Sequence, residues 1–185
     1  MPVTPAEARA ATIQWLERAV IGLNLCPFAK SVHVKQQIHY RVSTAQTPTE
    51  LQADLSNELL ELNAADPEHR DTSLLIAPYC LADFLDFNDF LDVADQTLLD
   101  LDLHGVLQIA SLHPAYQFAG TEAEDITNYS NRSPYPTLHL LREQSIDRAV
   151  AAFPDPGQIY ETNMATLRSL GHAGWRALFL DPTPS

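Results

Sequence analysis

The stretch Thr72-Ser73-Leu74-Leu75-Ile76-Ala77-Pro78-Tyr79 decides the fold, because it is strand-like and stands between two helical segments. Two further strand-like runs, residues 34–42 and 105–112, flank those helices. Alternating strands and helices are the pattern of a parallel sheet with right-handed crossovers. We therefore predict an α/β fold with a small, mainly parallel sheet. The alternative is an α+β sandwich with an antiparallel edge.

Capping motifs mark the helices of this fold. Thr4-Pro5-Ala6-Glu7 and Thr47-Pro48-Thr49-Glu50 each place threonine at the N-cap, proline in the first turn and glutamate at N3. Gly22 is the expected left-handed stop of the first helix. In chain order, the predicted helices cover about residues 5–21, 48–65, 82–102, 136–153 and 156–170, the last two being C-terminal to the sheet.

Composition indicates one ordinary globular domain over residues 1–185. The chain is 45% hydrophobic and 19% charged, and no linker divides it. No apolar run approaches the roughly 18–20 residues of a membrane span. The N-terminus lacks the basic flank and apolar core of a signal peptide. Together with only two cysteines, this predicts a cytoplasmic protein without a membrane partner.

The formal charge of −13 is unevenly distributed. Between Ser43 and Asn131 there are 17 acidic residues and a single base, Arg70. Repulsion of phosphate backbones makes nucleic acid and anionic membrane unsuitable partners. A bound small anion would instead contact the remaining bases, of which the relevant ones are Arg18, Lys30, Arg41, Arg132 and Arg142.

The segment from Gly22 to Lys30 contains a cysteine directly before a proline. If Pro27 opens a short helix, Cys26 is its N-cap, and the helix dipole and Lys30 both favour the thiolate. Otherwise Cys26 is an inert packing residue, as free cysteines often are. Asn24 and Lys30 are assigned to substrate binding beside it.

His113 follows the strand predicted over residues 105–112. Ligands of open α/β sheets gather outside the carboxyl ends of strands, and a histidine there suits proton transfer. The alternative is a histidine bonded to a loop carbonyl. After it, residues 113–135 form a long aromatic segment that we expect to be ordered and functional.

The end of that segment offers a possible anion site. Its polar side chains and Arg132 precede a proline that can open a helix, whose free N–H groups attract anions. Turn and cap chemistry is the alternative. The residues assigned to substrate binding here are Asn128, Asn131, Arg132, Ser133 and Tyr135.

Three polar residues interrupt the apolar stripes of the last two predicted helices. Arg142 and Asn163 fall at the stripe centres and His139 at a border. Buried polar groups require partners, so these residues either form a buried structural pair or line the pocket floor. We include all three among the predicted substrate-binding residues.

Signatures for metals and cofactors are missing from the sequence. It has no HxxxH or CxxC cluster and no glycine-rich phosphate loop. A metal between Cys26, His113 and His139 would require a spatial coincidence. We therefore predict neither a metal nor a cofactor.

Three motifs together resemble a known family. They are Trp15–Arg18 with Gly22–Ala29, His113-Pro114 with Tyr116–Gly120, and Asn131–Glu143. They are similar to a bacterial family catalogued as domain of unknown function 1415. The resemblance implies a compact single-domain bacterial protein and carries no activity.

Two functional hypotheses follow. The first is a small enzyme that uses Cys26 as nucleophile and His113 as base, for acyl or related group transfer to or from an anionic small molecule. The second is a non-catalytic module that binds a small anion or metabolite, in which Cys26 only packs.

Overall fold

A computed structural model describes residues 2–153 and 155–180, which form a mixed α/β structure around one four-stranded sheet. The strands are β1 (Ile38–Val42), β2 (Thr72–Ile76), β3 (Leu107–Leu112) and β4 (Thr137–Arg142). Their spatial order is β1-β2-β4-β3. The three strands expected from the sequence are present, each shorter than predicted.

The sheet is not mainly parallel, which corrects the predicted fold class. β1 pairs with β2 in parallel, but β4 pairs antiparallel with both β2 and β3. Strands β1, β2 and β3 therefore run in one direction, and β4 lies between β2 and β3 in the opposite direction. The carboxyl ends of β2 and β3 consequently share one edge of the sheet.

The helices cover both faces of this sheet. They are α1 (Pro5–Trp15), α2 (Ala29–Val34), α3 (Pro48–Ala64), α4 (Phe84–Asp100), α5 (Glu143–Ala152) and α6 (Pro156–Ala177). A π-helix over Leu16–Ile21 continues α1, and a 3-10 helix covers Ile126–Asn131. Both predicted capping boxes are present at Thr4 and Thr47. No helix within residues 2–153 and 155–180 is long and apolar enough to cross a membrane.

Two apolar clusters form the core, one on each face of the sheet. On one face, leucines of α3 and phenylalanines of α4 pack against alternate residues of the strands, such as Leu75 and Leu138. On the other, Trp15 and residues of the π-helix pack against Leu167 and Trp175 of α6. Because side chains alternate between the two faces of a strand, Leu107 and Ile109 of β3 reach the first cluster and Leu112 reaches the second.

The helix predicted over residues 136–153 is wrong in its first third. Residues 137–142 form β4, and only residues 143–152 are helical. Leu138 and Leu140 point into the same core cluster at strand spacing. The prediction for residues 156–170 is confirmed, and α6 continues to Ala177 across a kink at Gly171, whose φ is 67°.

Gly22 ends the first helical segment by a different mechanism from the predicted one. Its φ of −59° is right-handed, and Asn24 is instead the residue with positive φ, 53°. A Cβ on Gly22 would lie 2.2 Å from the carbonyl oxygen of Arg18. Glycine is therefore required here for space rather than for a left-handed conformation.

Candidate functional site

A groove opens beyond the shared carboxyl edge of β2 and β3. Residues 82–85, which follow β2, form one wall, and Pro114 and Ala115, which follow β3, form another. Two cavities that share Pro114, Tyr129 and Arg132 make up this feature, called the Arg132 groove below. Ligands of open α/β sheets bind at such an edge, so we take it as the candidate site.

The first cavity has about 390 Å³, and because four aromatic side chains line it, it is called the aromatic cavity below. Trp15, Tyr129, Trp175 and Phe179 line it. The Tyr129 and Trp175 ring centroids are 5.2 Å apart, and those of Trp175 and Phe179 are 5.7 Å apart. Such edge-to-face contacts hold the rings in place. The cavity therefore offers a preformed surface for a planar apolar group.

Trp15 adds a buried donor to this cavity wall. Its side chain is 3% exposed, and its indole Nε1 has no hydrogen-bond partner among the residues that the structure describes. A buried polar group without a partner costs roughly 1–3 kcal/mol and is rare in native structures. The Trp15 ring lines the cavity, but its Nε1 is closed off from solvent and therefore points into the wall rather than into the cavity.

The second cavity has about 610 Å³ and carries acidic and polar side chains, and it is called the polar cavity below. Asp83 and Glu124 contribute carboxylates, and Gln117 and His172 contribute further polar groups. Both volumes fall within the range of roughly 300–1,000 Å³ typical of small-molecule sites.

Arg132 lies where the two cavities meet. Its Nε donates to the Tyr116 carbonyl at 3.1 Å, and its Nη2 donates to the Ala123 carbonyl at 2.6 Å. The guanidinium carbon is 4.4 Å from the centroid of the Tyr129 ring, a cation–π contact. These contacts fix the side chain while leaving Nη1 without a hydrogen-bond partner in the part of the chain that the structure describes.

The charge of Arg132 is not balanced by an ion pair. Each ion pair found within residues 2–153 and 155–180 joins other side chains, such as Arg70 with Glu58. Arginine binds carboxylates and phosphates through paired N–H groups, and such charge-assisted bonds are stronger than neutral ones. A half-buried guanidinium of this kind can bind an anion without first breaking an ion pair.

Asn128 keeps the loop around Arg132 in shape. Its Oδ1 accepts from the Phe118 backbone N–H and from the Thr121 hydroxyl, each at 2.9 Å, and its Nδ2 donates to the Glu122 carbonyl. The side chain is fully buried. The long segment is therefore ordered, as expected, but Asn128 bonds the loop itself and has no donor directed to a ligand.

His113 connects the two walls of the groove. Its Nε2 donates to the Leu81 carbonyl at 3.0 Å, and its Nδ1 accepts from the Ala115 N–H at 3.0 Å. It is fully buried between Phe84 and Phe87. Burial lowers the pKa of His113, which favours this neutral form. Both ring nitrogens thus bind backbone, and neither contacts Cys26.

The predicted helix start at Cys26 is wrong. Helix α2 begins at Ala29 with Phe28 as N-cap, so the Cys26 sulfur caps no helix. Cys26 is exposed, as are Asn24 and Lys30. Because α2 begins three residues after Cys26, the sulfur lies outside the first turn of the helix. The helix dipole therefore gives no reason to expect a thiolate at Cys26. The catalytic pairing of Cys26 with His113 stays a prediction.

The other residues assigned to the loop bond mostly within it. Asn131 donates to the Ser111 carbonyl at 3.4 Å, and the Ser133 hydroxyl donates to the Tyr135 carbonyl at 2.6 Å. Of the residues predicted from this segment, Arg132 and Ser133 line the aromatic cavity. Strand β4 follows at Thr137, so the helix N-terminus expected to hold the anion does not exist there.

Arg142, His139 and Asn163 have structural partners. Arg142 lies on β4, where its Nη2 is 2.8–2.9 Å from the carbonyl oxygens of Leu62 and Ala65 at the end of α3 and of Arg70 in the loop before β2. Its partners are therefore backbone carbonyls.

His139, also on β4, lies 2.8 Å from the Thr72 hydroxyl. Because that hydroxyl donates to the Leu140 carbonyl, it accepts from His139. Burial lowers the pKa of His139 to about 4. Asn163 donates to the Leu25 carbonyl at 2.8 Å. Neither side chain lines the Arg132 groove.

One cluster elsewhere has ligand types suited to a metal. His39, Glu58 and Glu61 place one ligand atom each within 4.8 Å of one another. However, the Arg70 guanidinium lies 2.7 Å from a Glu58 oxygen and 3.3 Å from a Glu61 oxygen. Arginine therefore already supplies the compensating charge. We interpret the cluster as an ion-pair network between α3 and β1, in which Glu58 is buried and Glu61 is exposed.

Comparison with known protein families gives a match over most of the chain. The sequence model of a family described as a protein of unknown function, DUF1415, matches residues 7–177 of the 185. This range includes Arg132, Tyr129 and Trp175 of the groove. No curated protein and no solved structure matches the chain.

Proposed function

Since this chain belongs to DUF1415, a family of proteins of unknown function, we propose its function from the groove: it binds a small organic anion at Arg132. One observation carries the proposal. Arg132 is held by backbone carbonyls and an aromatic ring between two cavities, without an acidic partner in the described part of the chain. A cation fixed in this way is preorganised for an anionic ligand.

The walls of the groove favour an organic anion of low charge. The aromatic rings beside Arg132 offer stacking surface to a carbon skeleton. A single arginine balances one negative charge, whereas the chain carries a formal charge of −13. Polyphosphates and other multiply charged anions would be repelled. A carboxylate on a planar or apolar skeleton fits these conditions.

The proposal does not extend to acyl transfer. A general base needs a ring nitrogen within reach of the proton that it removes. Both His113 nitrogens are engaged with Leu81 and Ala115, and the ring is fully buried. The binding-module hypothesis therefore has the stronger support from geometry.

A thermal-shift titration with sodium benzoate, matched against sodium chloride, tests the proposal. At ten times the dissociation constant, a ligand of the native state stabilises it by about 1.4 kcal/mol, which is roughly 3–5 °C in a chain of this size. The wild type should show this shift, and Arg132→Met should lose it. The control Arg176→Met removes an exposed charge outside both cavities and should behave as wild type.

Two results would overturn the proposal. One is a wild-type response to benzoate no larger than the response to chloride. The other is an equal benzoate shift in wild type and Arg132→Met. Because Arg132 also holds two loop carbonyls, Arg132→Lys serves as a second variant that keeps the charge. It should retain part of the shift if charge is what the ligand recognises.

A further inference from the structure

We propose that the ligand of the Arg132 groove is a free aromatic α-amino acid, bound as a zwitterion. Its carboxylate binds Arg132, its ring enters the aromatic cavity, and its ammonium group faces Glu124 and Asp83. This inference rests on the proposed function and specifies the ligand class of the same site.

The aromatic cavity supplies the ring site. Trp15 is contributed by α1, Tyr129 by the 3-10 helix and Trp175 by α6, so three separate elements converge on one cavity. Tyr129 also makes an edge contact with His172 at 5.3 Å. Aromatic rings pair favourably in edge-to-face and offset arrangements. A ligand ring therefore meets preformed partners here.

The polar cavity supplies the ammonium site. Glu124 is the residue directly after Ala123, whose carbonyl accepts from Arg132 at 2.6 Å, so its backbone lies against the guanidinium. Asp83 uses Oδ1 to accept from the N–H groups of Leu85 and Asp86 at the start of α4, which leaves Oδ2 for a ligand. Neither acid has an ion-pair partner among the described residues.

The neighbouring charges fit an α-amino acid better than a simple carboxylate. In an α-amino acid, carboxylate and ammonium are attached to one carbon, so the binding site needs opposite charges next to each other. Arg132 and Glu124 provide that arrangement without forming an ion pair. A simple carboxylate can still bind Arg132, but the acids of the polar cavity then have no ligand charge to bind and weaken its binding by repulsion.

Isothermal titration calorimetry of the full-length protein with four probes tests this assignment. L-Phenylalanine carries an aromatic ring, a carboxylate and an ammonium group. Of the other probes, 3-phenylpropanoate lacks the ammonium, phenethylamine lacks the carboxylate, and L-alanine lacks the ring. L-Phenylalanine should bind most tightly. Each truncated probe should bind at least about tenfold more weakly, as expected when a charge-assisted contact or a ring contact is lost.

Variants separate this inference from the proposed function. Glu124→Gln should weaken L-phenylalanine about three- to tenfold, because one exposed charge contact is lost, and should leave or improve binding of 3-phenylpropanoate. The matched control, Glu122→Gln, removes an exposed acid outside both cavities. It should leave the affinities for L-phenylalanine and 3-phenylpropanoate unchanged. If 3-phenylpropanoate binds as well as L-phenylalanine, or if Glu124→Gln affects both equally, the amino-acid assignment is overturned while anion binding stands. If no carboxylate probe binds, both fail.

Discussion

Arg142→Met should destabilise the protein by disconnecting β4 from the end of α3. The Arg142 Nη2 reaches the carbonyls of Leu62, Ala65 and Arg70, and its two hydrogens can satisfy two of them at a time. The last carbonyls of a helix have no partner within the helix. Methionine keeps most of the side-chain volume, so the change tests the bonds rather than the packing.

The magnitude follows from those contacts. Hydrogen bonds to a charged group contribute roughly 1.5–3 kcal/mol each, and part of this is offset by the cost of burying the guanidinium. Burial lowers the pKa of Arg142, because the charged guanidinium is less stable away from water. We therefore expect a net loss of about 2–4 kcal/mol in the free energy of unfolding.

Urea denaturation monitored by circular dichroism measures this loss. With a slope of roughly 2 kcal/mol per molar urea, the midpoint should fall by about 1–2 M. The control is Arg148→Met on α5, since Arg148 is 65% exposed and lies 4.0 Å from its acidic neighbour Asp71. That change should cost less than about 0.5 kcal/mol. If both variants lose the same free energy of unfolding, the Arg142 contacts do not join β4 to the end of α3 as we propose.

Two further predictions concern pH and thiol reactivity. Burial lowers the pKa of His139 to about 4, so the unfolded chain binds this proton first, and stability should fall by up to about 1.4 kcal/mol per pH unit as pH drops from 6.5 to 4. Urea midpoints across that range should fall less steeply in His139→Gln, and an unchanged slope would contradict this. In the native protein, exposed Cys26 should react quickly with Ellman's reagent. Cys80 should react slowly, because burial and nearby acids raise its pKa; two fast thiols, or a fast phase that survives Cys26→Ser, would contradict this.

Helix positions could be predicted because their signals are local. Thr4 and Thr47 form their capping boxes with residues three positions on, which sequence shows directly. Strand β4 could not be predicted in the same way. Leu138 and Arg142 fit a helical stripe, whereas Leu138 and Leu140 fit the alternation of a strand. A six-residue segment with three leucines satisfies both periods, and only pairing with β2 and β3 decides between them.

The same difference between local and distant signals applies to the site. Arg132 was identified from charge distribution, since it is the first base after a long acidic segment. The aromatic residues that surround it, Trp15, Trp175 and Phe179, were not identified as site residues. Trp15 is on α1, Trp175 is on α6 and Phe179 follows α6, so they come from both ends of the chain, and all three belong to or pack against one core cluster. His113 was identified as a strand-end residue, but its backbone contacts depend on Leu81, which only the fold brings near.

The most direct test of anion binding uses the two tryptophans of the chain, since both Trp15 and Trp175 line the aromatic cavity. In a ¹H–¹⁵N correlation spectrum, their indole N–H groups give two signals, and both come from rings that line this cavity. Titration with L-phenylalanine should shift both signals along saturable curves with one dissociation constant, and Arg132→Met should abolish the shifts. If both indole signals stay in place while L-phenylalanine, and in a second titration benzoate, reaches millimolar concentration, the Arg132 groove is not an anion-binding site.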